Sequence, residues 1–456
     1  MKALRFAFAI PAAFLGAAVA MRLLLPYAPP RIAIDVAQPI AVVTGWHAFG
    51  AVMLGVLFAA TIPATAAYLR IPRLVTSTPD ARWVLIIAAI VALSLACAWA
   101  LPVLFSSDVY AYAAYGELVR LGTDPYAHAL LPAGDPIFDA AIVQWGNPPP
   151  TCVYGPVFVW AAAAIVEATH SFGAAAALGG LRALSSAGLI LSTLLAYAAY
   201  RGDRCDRLRA AATIGLNPVI VWCAAEGHND TIALAVALTG FACARRGYAG
   251  IGAFVAACSG AVKLPGIVAA VPLSFSNRRA WPGAGAGIVA TLAVSFPIFA
   301  GVTKHLAPHA RYAPEASFQA VVYSIGRFGL SDAAASALTW SIAAAAAIGC
   351  ALVAIAFLRR RELEGWTYLA SAGWLLVPNP YPWYAVWLVA IAAVAPGTRG
   401  ATVLLALGFA SMLRYVPDAV GTPGPAASAL LGAAAALPLL LLLARRKPSA
   451  IINGPP

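Results

Sequence analysis

The sequence predicts an all-α polytopic membrane protein, and three observations support this fold class. Of the 456 residues, 62% are hydrophobic and only 10% are charged, whereas a soluble domain has about 45–50% apolar and about 25% charged residues. The mean hydropathy is +0.84. Long apolar runs recur along the whole chain, where a transmembrane β-barrel would show short alternating segments. We therefore expect a single integral membrane domain over residues 1–456.

The apolar runs predict roughly 11–13 membrane spans, because a helix needs about 20 apolar residues to cross a bilayer. The candidate spans are approximately residues 5–26, 39–69, 83–105, 181–200, 210–225, 230–245, 283–301, 337–358, 366–378, 382–397, 400–414 and 425–444. Two further apolar segments, 153–168 and 250–272, are harder to assign. Lys263-Leu264-Pro265-Gly266 interrupts the second of them, which predicts two half-helices that meet at membrane depth.

Lysine and arginine residues cluster in short stretches between the apolar runs. Basic residues between spans orient the helices in the bilayer, which accounts for the net charge of +12. Together with the apolar composition, this pattern excludes nucleic-acid binding as the reason for the charge. All the clusters face the cytoplasm if 153–200 crosses the membrane an odd number of times and 250–272 returns to its starting side. Polar or aromatic segments then share the outer face, namely 106–150, 227–230, 302–336 and 378–384. We expect the chemistry to lie there.

The first outer segment begins with the run SSDVYAYAAYGELVRLG, whose periodicity predicts a helix. Asp108, Tyr112 and Tyr115 are spaced i, i+4 and i+7 and therefore share one helix face. Asp108 has two compatible interpretations: a first-turn carboxylate behind Ser107 at the N-cap, or a general base beside sugar-binding tyrosines. The two tyrosines are either sugar or lipid contacts or anchors at the membrane interface. Tyr154, which follows the segment, is assigned with them as a sugar or lipid contact.

Glu226-Gly227-His228-Asn229-Asp230 separates two apolar runs. A tight helical turn does not need a histidine and two acids, and a charge at membrane depth costs roughly 2.5–3.5 kcal/mol. These residues therefore indicate binding rather than a turn alone. Lys263 lies near the middle of an otherwise uncharged segment. A cation at a broken helix suits a phosphate group better than a purely structural role.

Three aromatic residues mark the last outer segment. Tyr381, Trp383 and Tyr384 follow Pro378-Asn379-Pro380. They predict either an aromatic wall for a lipid or sugar, or an ordinary aromatic belt at the membrane interface.

Four runs of the sequence match a known family. They are DVYAYAAYGELVRLGTDPY from Asp108, VYGPVF from Val153, LNPVIVWCAAEGHNDTIALAVAL from Leu216 and AVKLPG from Ala261. They resemble the polyprenol-phosphomannose-dependent mannosyltransferases of the glycosyltransferase C superfamily. The resemblance implies a glycosyltransferase C-like bundle in the cell (inner) membrane, with its active site facing outside, toward the periplasm. It also implies transfer of a hexose, mannose in this family, from a polyprenyl-phosphate donor to a glycan or glycolipid acceptor.

The resemblance also assigns residues. In the superfamily the first outer loop carries an essential acidic residue, and Asp108 occupies that position. His228, Asn229, Asp230 and Lys263 match family motifs, which implies that they bind the donor and its phosphate. Superfamily members that bind a divalent metal often have paired acids in the first loop, whereas this chain has two serines before the aspartate. The seven cysteines show no metal-ligand spacing. The sequence therefore requires no cofactor, assigns no metal ligand and leaves dependence on a divalent metal open.

The residues also suggest a mechanism. A phosphate leaving group needs no general acid, but it needs cations or hydrogen-bond donors where its charge develops. The acceptor hydroxyl needs a base, for which Asp108 is the candidate. A double displacement with retention would need a second carboxylate as nucleophile, and Asp230 is the only candidate for that role. We therefore predict single displacement with inversion. The alternative function is a transporter or flippase of lipid-linked sugars, which ranks second because only one clear broken segment is found and many transporters have paired ones.

Overall fold

The computed structural model describes residues 2–24, 47–71, 80–103, 106, 108–127, 130–145, 147, 151–298, 313–421 and 424–443. Ser107, the predicted N-cap, and the first part of the predicted outer loop 302–336 lie outside the described residues. The described ranges contain α-helices and short 3₁₀-helices and no β-strand. The predicted all-α class is therefore confirmed.

The helices follow one another with short connections. In chain order, the described α-helices are α1 (Lys2–Leu24), α2 (His47–Tyr68), α3 (Trp83–Trp99), α4 (Asp108–Arg120), α5 (Pro136–Trp145), α6 (Pro156–Thr169), α7 (Ala174–Ala199), α8 (Arg204–Gly215), α9 (Pro218–Glu226), α10 (Asp230–Arg245), α11 (Ala249–Cys258), α12 (Ala270–Ser276), α13 (Trp281–Val294), α14 (Phe318–Gly326), α15 (Asp332–Arg359), α16 (Gly365–Leu375), α17 (Ala385–Ala392), α18 (Arg399–Ala410), α19 (Tyr415–Val420) and α20 (Pro425–Ala436). Three 3₁₀-helices matter below: Ser259–Ala261, Leu264–Ala269 and Pro382–Tyr384.

Six of the described helical segments are long and apolar enough to cross a membrane, which makes the chain a multi-pass membrane protein. They are Arg5–Leu24, Ala48–Tyr68, Ala174–Ala199, Asp332–Arg359, Arg399–Val420 and Pro425–Leu442. Several other predicted spans are shorter or broken helices, so fewer segments meet the length criterion than the 11–13 that hydropathy alone predicts. The shorter apolar helices include Trp83–Trp99, Pro156–Phe172 and Ala249–Ala261.

One broken span has a clear cause in the sequence. Helices α8 and α9 together pass the membrane-span test, but they meet at a bend of 50°. Pro218 is the first residue of α9, and the Asn217 side chain accepts hydrogen bonds from the backbone N–H groups of Val219 and Ile220. Asparagine at the N-cap followed by proline starts a new helix and cannot continue the previous one.

The predicted break at Lys263 is confirmed. Lys263 has extended backbone angles, φ −146° and ψ 120°, between the 3₁₀-helices Ser259–Ala261 and Leu264–Ala269. The protein satisfies the backbone groups that the break would leave open. The N–H of Gly155 donates to the Val262 carbonyl at 3.0 Å, and the Ser259 hydroxyl donates to the Gly266 carbonyl at 2.8 Å. Non-helical backbone at membrane depth is stable when protein covers it in this way.

The contact at Gly155 leaves no room for a side chain. A Cβ atom on Gly155 would lie 2.0 Å from the Ala261 carbonyl oxygen, which is far inside van der Waals contact. We expect Gly155→Ala to lower the free energy of unfolding by about 1–3 kcal/mol, as overpacking of rigid backbone does. Gly179→Ala is the matched control, because no described atom outside its own helix backbone and its two chain neighbours lies within 4 Å of its Cβ position. Thermal unfolding in detergent measures the difference, and equal stability of the two variants would contradict this packing.

Helix α4, which corresponds to the predicted outer-loop helix, is confirmed and lies deep in the protein. Every residue from Asp108 to Leu118 is buried. The helix packs closely on α6, since a Cβ on Gly116 would lie 2.8 Å from the backbone carbon of Ala162. Its first residue therefore has a fixed position inside the bundle, beside the turn between α9 and α10.

Candidate active site

The carboxylate of Asp108 lies at the first turn of α4 and is held by two tyrosines. The hydroxyl of Tyr112, one turn further along the helix, donates to Asp108 Oδ2 at 3.3 Å. The hydroxyl of Tyr154, from the segment that precedes α6, donates to the same oxygen at 3.2 Å. The structure thus places Asp108 and Tyr112 in contact, as their spacing predicted, and adds Tyr154 from another segment of the chain.

Tyr112, Tyr115 and Tyr154 form an aromatic cluster beside this carboxylate. The ring centroids of Tyr112 and Tyr154 are 4.7 Å apart in an edge-to-face arrangement, and those of Tyr115 and Tyr154 are 6.2 Å apart. The Tyr112 and Tyr115 side chains are buried inside the protein. The hydroxyls of Tyr112 and Tyr154 donate hydrogen bonds to Asp108. A tyrosine that anchors a protein at the membrane interface would direct its hydroxyl to water instead.

The environment of Asp108 changes its acidity. Burial raises the pKa of the Asp108 carboxyl above its ordinary value, because the charged form loses water. The positive charge of Lys263 and the hydrogen bonds from Tyr154 and Tyr112 act in the opposite direction. A carboxylate with a raised pKa is a stronger base than an exposed aspartate, which suits it to take a proton.

His228 lies between α9 and α10, directly beside Asp108. Gly227 ends α9 with a left-handed backbone, φ +101°, and this turn brings the imidazole into the bundle. Nδ1 of His228 is 3.6 Å from Asp108 Oδ2, and Nε2 is 3.9 Å from Glu226 Oε2. The ring stacks on Trp383, with centroids 4.2 Å apart. The imidazole therefore faces a carboxylate on each of its two nitrogen sides.

Asp230 and Lys263 form a buried ion pair. Lys263 Nζ is 2.5 Å from Asp230 Oδ2, and the indole N–H of Trp387 donates to Asp230 Oδ1 at 3.0 Å. Lys263 Nζ also lies 5.5 Å from the centre of the Tyr384 ring, within the range of a cation–π contact. The sequence predicted a cation at the broken helix, and the structure adds the carboxylate that holds it.

Asn229 lies between His228 and Asp230 in the chain and is fully buried. Within the described part of the protein, neither its amide nitrogen nor its amide oxygen has a hydrogen-bond partner. A buried amide without partners costs about 1–3 kcal/mol. An uncompensated polar group next to a cluster of charged side chains is the arrangement expected where a polar ligand binds.

The three predicted aromatic residues, Tyr381, Trp383 and Tyr384, all reach this cluster, but two of them present little free surface. The rings of Tyr381 and Trp383 are stacked, with centroids 4.3 Å apart and an angle of 6° between their planes. His228 covers the other face of Trp383. A ligand would therefore meet the edges of the Trp383 ring rather than its faces.

The sequence reasoning missed two residues of the cluster, Trp387 and Arg414, and it named Glu226 only as part of the polar run 226–230, without a role of its own. Glu226 directly precedes Gly227-His228-Asn229-Asp230, and Trp387 lies three residues after Tyr384, so both are close in sequence to predicted site residues. Arg414 gives a different signal, since it is a single arginine that ends an apolar run of fourteen residues, 400–413.

The structure offers no cluster of metal ligands among the residues that it describes. No group of three or more His, Cys, Asp or Glu side chains in those ranges is placed to hold a metal ion. The carboxylates of Asp108 and Asp230 are instead engaged with tyrosine, tryptophan and lysine side chains.

Comparison with known proteins identifies the family. A family model described as "Alpha-(1->6)-mannopyranosyltransferase, N-terminal domain" matches residues 14–276, which is more than half of the chain and includes Asp108, His228 and Lys263. The chain belongs to this mannosyltransferase family. The family membership confirms the resemblance to mannosyltransferases and identifies the protein as a glycosyltransferase.

A curated relative agrees with this family. The chain is 26% identical to alpha-(1->6)-mannopyranosyltransferase B of Corynebacterium glutamicum over 412 residues, which cover 77% of this chain and 67% of the relative. No solved structure matches the chain significantly. Neither the family match nor the relative gives support to the transporter or flippase alternative.

Proposed function

We propose that this mannosyltransferase transfers mannose from a polyprenyl-phosphate donor to a glycan or glycolipid acceptor and forms an α-(1→6) linkage. The observation that carries the proposal is the meeting of a buried carboxylate, Asp108, with a buried cation, Lys263, in one cluster. The linkage follows the name of the C. glutamicum relative. Residues 1–456 form a single membrane domain in this proposal.

Asp108 activates the acceptor. Its carboxylate takes the proton of the acceptor hydroxyl while the oxygen attacks the anomeric carbon of the mannose. Tyr112 and Tyr154 hold the carboxylate through Oδ2, which leaves Oδ1 for the substrate. The aromatic cluster of Tyr112, Tyr115 and Tyr154 borders the sugar.

Lys263 receives the leaving phosphate. When the glycosidic bond breaks, the phosphate gains a second negative charge and needs a cation there. A lysine ammonium has three N–H donors; one is directed to Asp230, and two remain for phosphate oxygens. The helix Ala270–Ser276 and the 3₁₀-helix before it carry exposed apolar residues, among them Val268, Val271 and Phe275, which suit the polyprenyl chain. His228 and Asn229 complete the donor side of the site.

The reaction proceeds in one displacement with inversion. A double displacement would need a second carboxylate as nucleophile. Both oxygens of Asp230 already accept hydrogen bonds, from Lys263 and Trp387, so Asp230 serves to hold the cation. An α-linked product formed with inversion requires a β-linked donor.

The site faces outward across the cell (inner) membrane, toward the periplasm. Helix α10 supports this orientation, because Asp230 is its first residue and Arg245 its last. The two ends of this helix are about 24 Å apart at 1.5 Å per residue. Arg201, Arg245 and Arg278 mark the end opposite the site, and basic residues prefer the cytoplasmic side.

A transfer assay with purified protein in detergent tests the proposed function. With polyprenyl-phosphate mannose and an α-mannoside acceptor, we expect a longer mannoside and free polyprenyl phosphate. Nucleotide-linked mannose is the control donor and should give no product. A flippase cannot produce transfer in detergent. Absence of transfer from the lipid donor, or equal transfer from the nucleotide donor, would overturn the proposal.

The raised pKa of Asp108 predicts the pH dependence of transfer. The base is the deprotonated carboxylate, so kcat/KM should fall as the pH decreases through the pKa of Asp108. That acidic limb should lie above the value of about 3.9 for an ordinary aspartate, because burial raises the pKa. Lys263→Met should move the limb to still higher pH, since the Lys263 charge lowers this pKa. A limb at ordinary carboxyl pH in both proteins would contradict the assignment.

A further inference from the structure

A column of four stacked side chains runs from the candidate site into the bundle. It consists of His228, Trp383, Tyr381 and Arg414. The His228 and Trp383 rings have centroids 4.2 Å apart and are inclined by 21°, and the Trp383 and Tyr381 rings are 4.3 Å apart and inclined by 6°. The guanidinium carbon of Arg414 lies 4.4 Å from the centre of the Tyr381 ring. Because the four planar groups are in contact, a displacement of one of them would disturb the position of the next.

Arg414 fixes the far end of this column. Its Nη2 donates to the Tyr381 hydroxyl at 2.7 Å and lies 2.9 Å from a carboxylate oxygen of Glu315. Its Nη1 donates to Asp418 at 3.0 Å. The Arg414 side chain is only 8% exposed. A planar guanidinium that holds two carboxylates and a phenol at once has one orientation, which a lysine ammonium would not reproduce.

Glu315 is itself tied to the segment that leads into the column. Its backbone N–H donates to the Asn379 side chain at 2.9 Å, and the Ser317 hydroxyl donates to the Pro378 carbonyl at 2.7 Å. Residues 313–317 and 378–379 are therefore joined beside Arg414. The position of Tyr381 is set from both directions.

The other end of the column, the imidazole of His228, lacks such anchors. In the part of the chain that the structure describes, neither ring nitrogen of His228 has a hydrogen-bond partner. Nδ1 nevertheless faces Asp108 Oδ2 at 3.6 Å. The plane of the imidazole is therefore set by its stacking on Trp383 rather than by hydrogen bonds.

We propose that Arg414 is a positioning residue, which holds His228 beside Asp108 through Tyr381 and Trp383. This inference rests on the proposed function. Tyr381 and Trp383 then connect Arg414 to His228 by stacking, and they do not stack on the sugar. Arg414 touches no reacting atom. His228 acts on the phosphate charge that develops only as the glycosidic bond breaks. Displacement of His228 should therefore lower the rate of transfer and leave the donor KM within twofold.

Tyr381→Phe is the sharpest test, because it removes only the hydroxyl that Arg414 holds and leaves the ring and the ion pairs in place. We expect kcat to fall about tenfold, with the donor KM unchanged within twofold and the same unfolding temperature as the wild type. Arg414→Lys should lower kcat to a similar extent, again with the donor KM unchanged within twofold. Arg414→Ala should lower kcat on the order of 10²-fold, the cost of misplacing a catalytic group by about 1 Å.

Arg327→Ala is the matched control, since Arg327 pairs with Asp332 and is 37% exposed. It should keep the wild-type kcat and KM. A raised donor KM with an unchanged kcat in Tyr381→Phe would make Tyr381 a substrate contact and overturn the inference, as would wild-type kinetics in folded Tyr381→Phe and Arg414→Lys. If the wild type itself transfers no mannose from the lipid donor, the proposed function fails instead, and the two failures are distinguishable.

Discussion

Replacing Asp108 by Asn should reduce mannose transfer by about 10²–10⁴-fold, the contribution of a general base. Asparagine has the same shape, and its amide oxygen still accepts the hydrogen bonds that Tyr112 and Tyr154 donate. The amide cannot take the proton of the acceptor hydroxyl. The variant should therefore fold, insert in the membrane and bind the donor, and only the transfer step should be lost. Initial rates with the purified variant in detergent measure the effect.

Asp124→Asn is the control for this substitution. Asp124 belongs to the same predicted outer segment, but it is exposed, and among the described residues its side chain accepts a hydrogen bond only from the backbone N–H of Tyr126. Its replacement should leave transfer within twofold of the wild type. Full activity of Asp108→Asn would remove Asp108 as the base. A variant that is inactive because it does not fold would show a lowered unfolding temperature, which thermal unfolding detects.

Replacing Lys263 by Met should affect both stability and transfer. The substitution leaves the carboxylate of Asp230 buried, with the Trp387 N–H as its one remaining hydrogen-bond partner among the residues that the structure describes. Breaking a buried ion pair from one side costs about 3–5 kcal/mol of stability. Transfer should fall by about 10²–10³-fold, the cost of losing one group that stabilises developing charge.

The double variant Lys263→Met/Asp230→Asn separates these two effects. It removes both charges of the pair, so we expect most of the lost stability to return. Transfer should remain low, because the phosphate still has no cation. Recovery of transfer together with stability would show that Lys263 has a structural role alone. Thermal unfolding and initial rates on the same preparations make the comparison.

Local patterns in the sequence predicted much of the candidate site. The spacing of Asp108, Tyr112 and Tyr115 placed them on one helix face, and the structure has Asp108 and Tyr112 in contact. The proline and glycine after Lys263 predicted a break, which the structure contains. These features depend on residues within a few positions of one another. Over such short separations, helix geometry determines which side chains are neighbours.

The partners of these residues could not be predicted in the same way. Lys263 and Asp230 are 33 positions apart, and Trp387 and Asp230 are 157 positions apart. Pairing over such separations depends on how the helices pack, and helix packing cannot be predicted from the hydropathy of the sequence. For the same reason the column from His228 to Arg414 has no sequence signature. Hydropathy also could not predict the number of full-length spans. The run 210–225, for example, is one apolar segment in the sequence, although Pro218 starts a second helix within it.

The stereochemistry of the reaction tests the central claim most directly, which is a single displacement driven by Asp108 on a lipid-phosphate donor. Purified protein would be given polyprenyl-phosphate mannose of defined β configuration, and proton NMR would read the anomeric configuration of the first product formed. A single displacement by Asp108 predicts an α-linked product from the β-linked donor and no product from the α-linked donor. An α-linked product from the α-linked donor would mean retention, which needs a second carboxylate as nucleophile and contradicts the account.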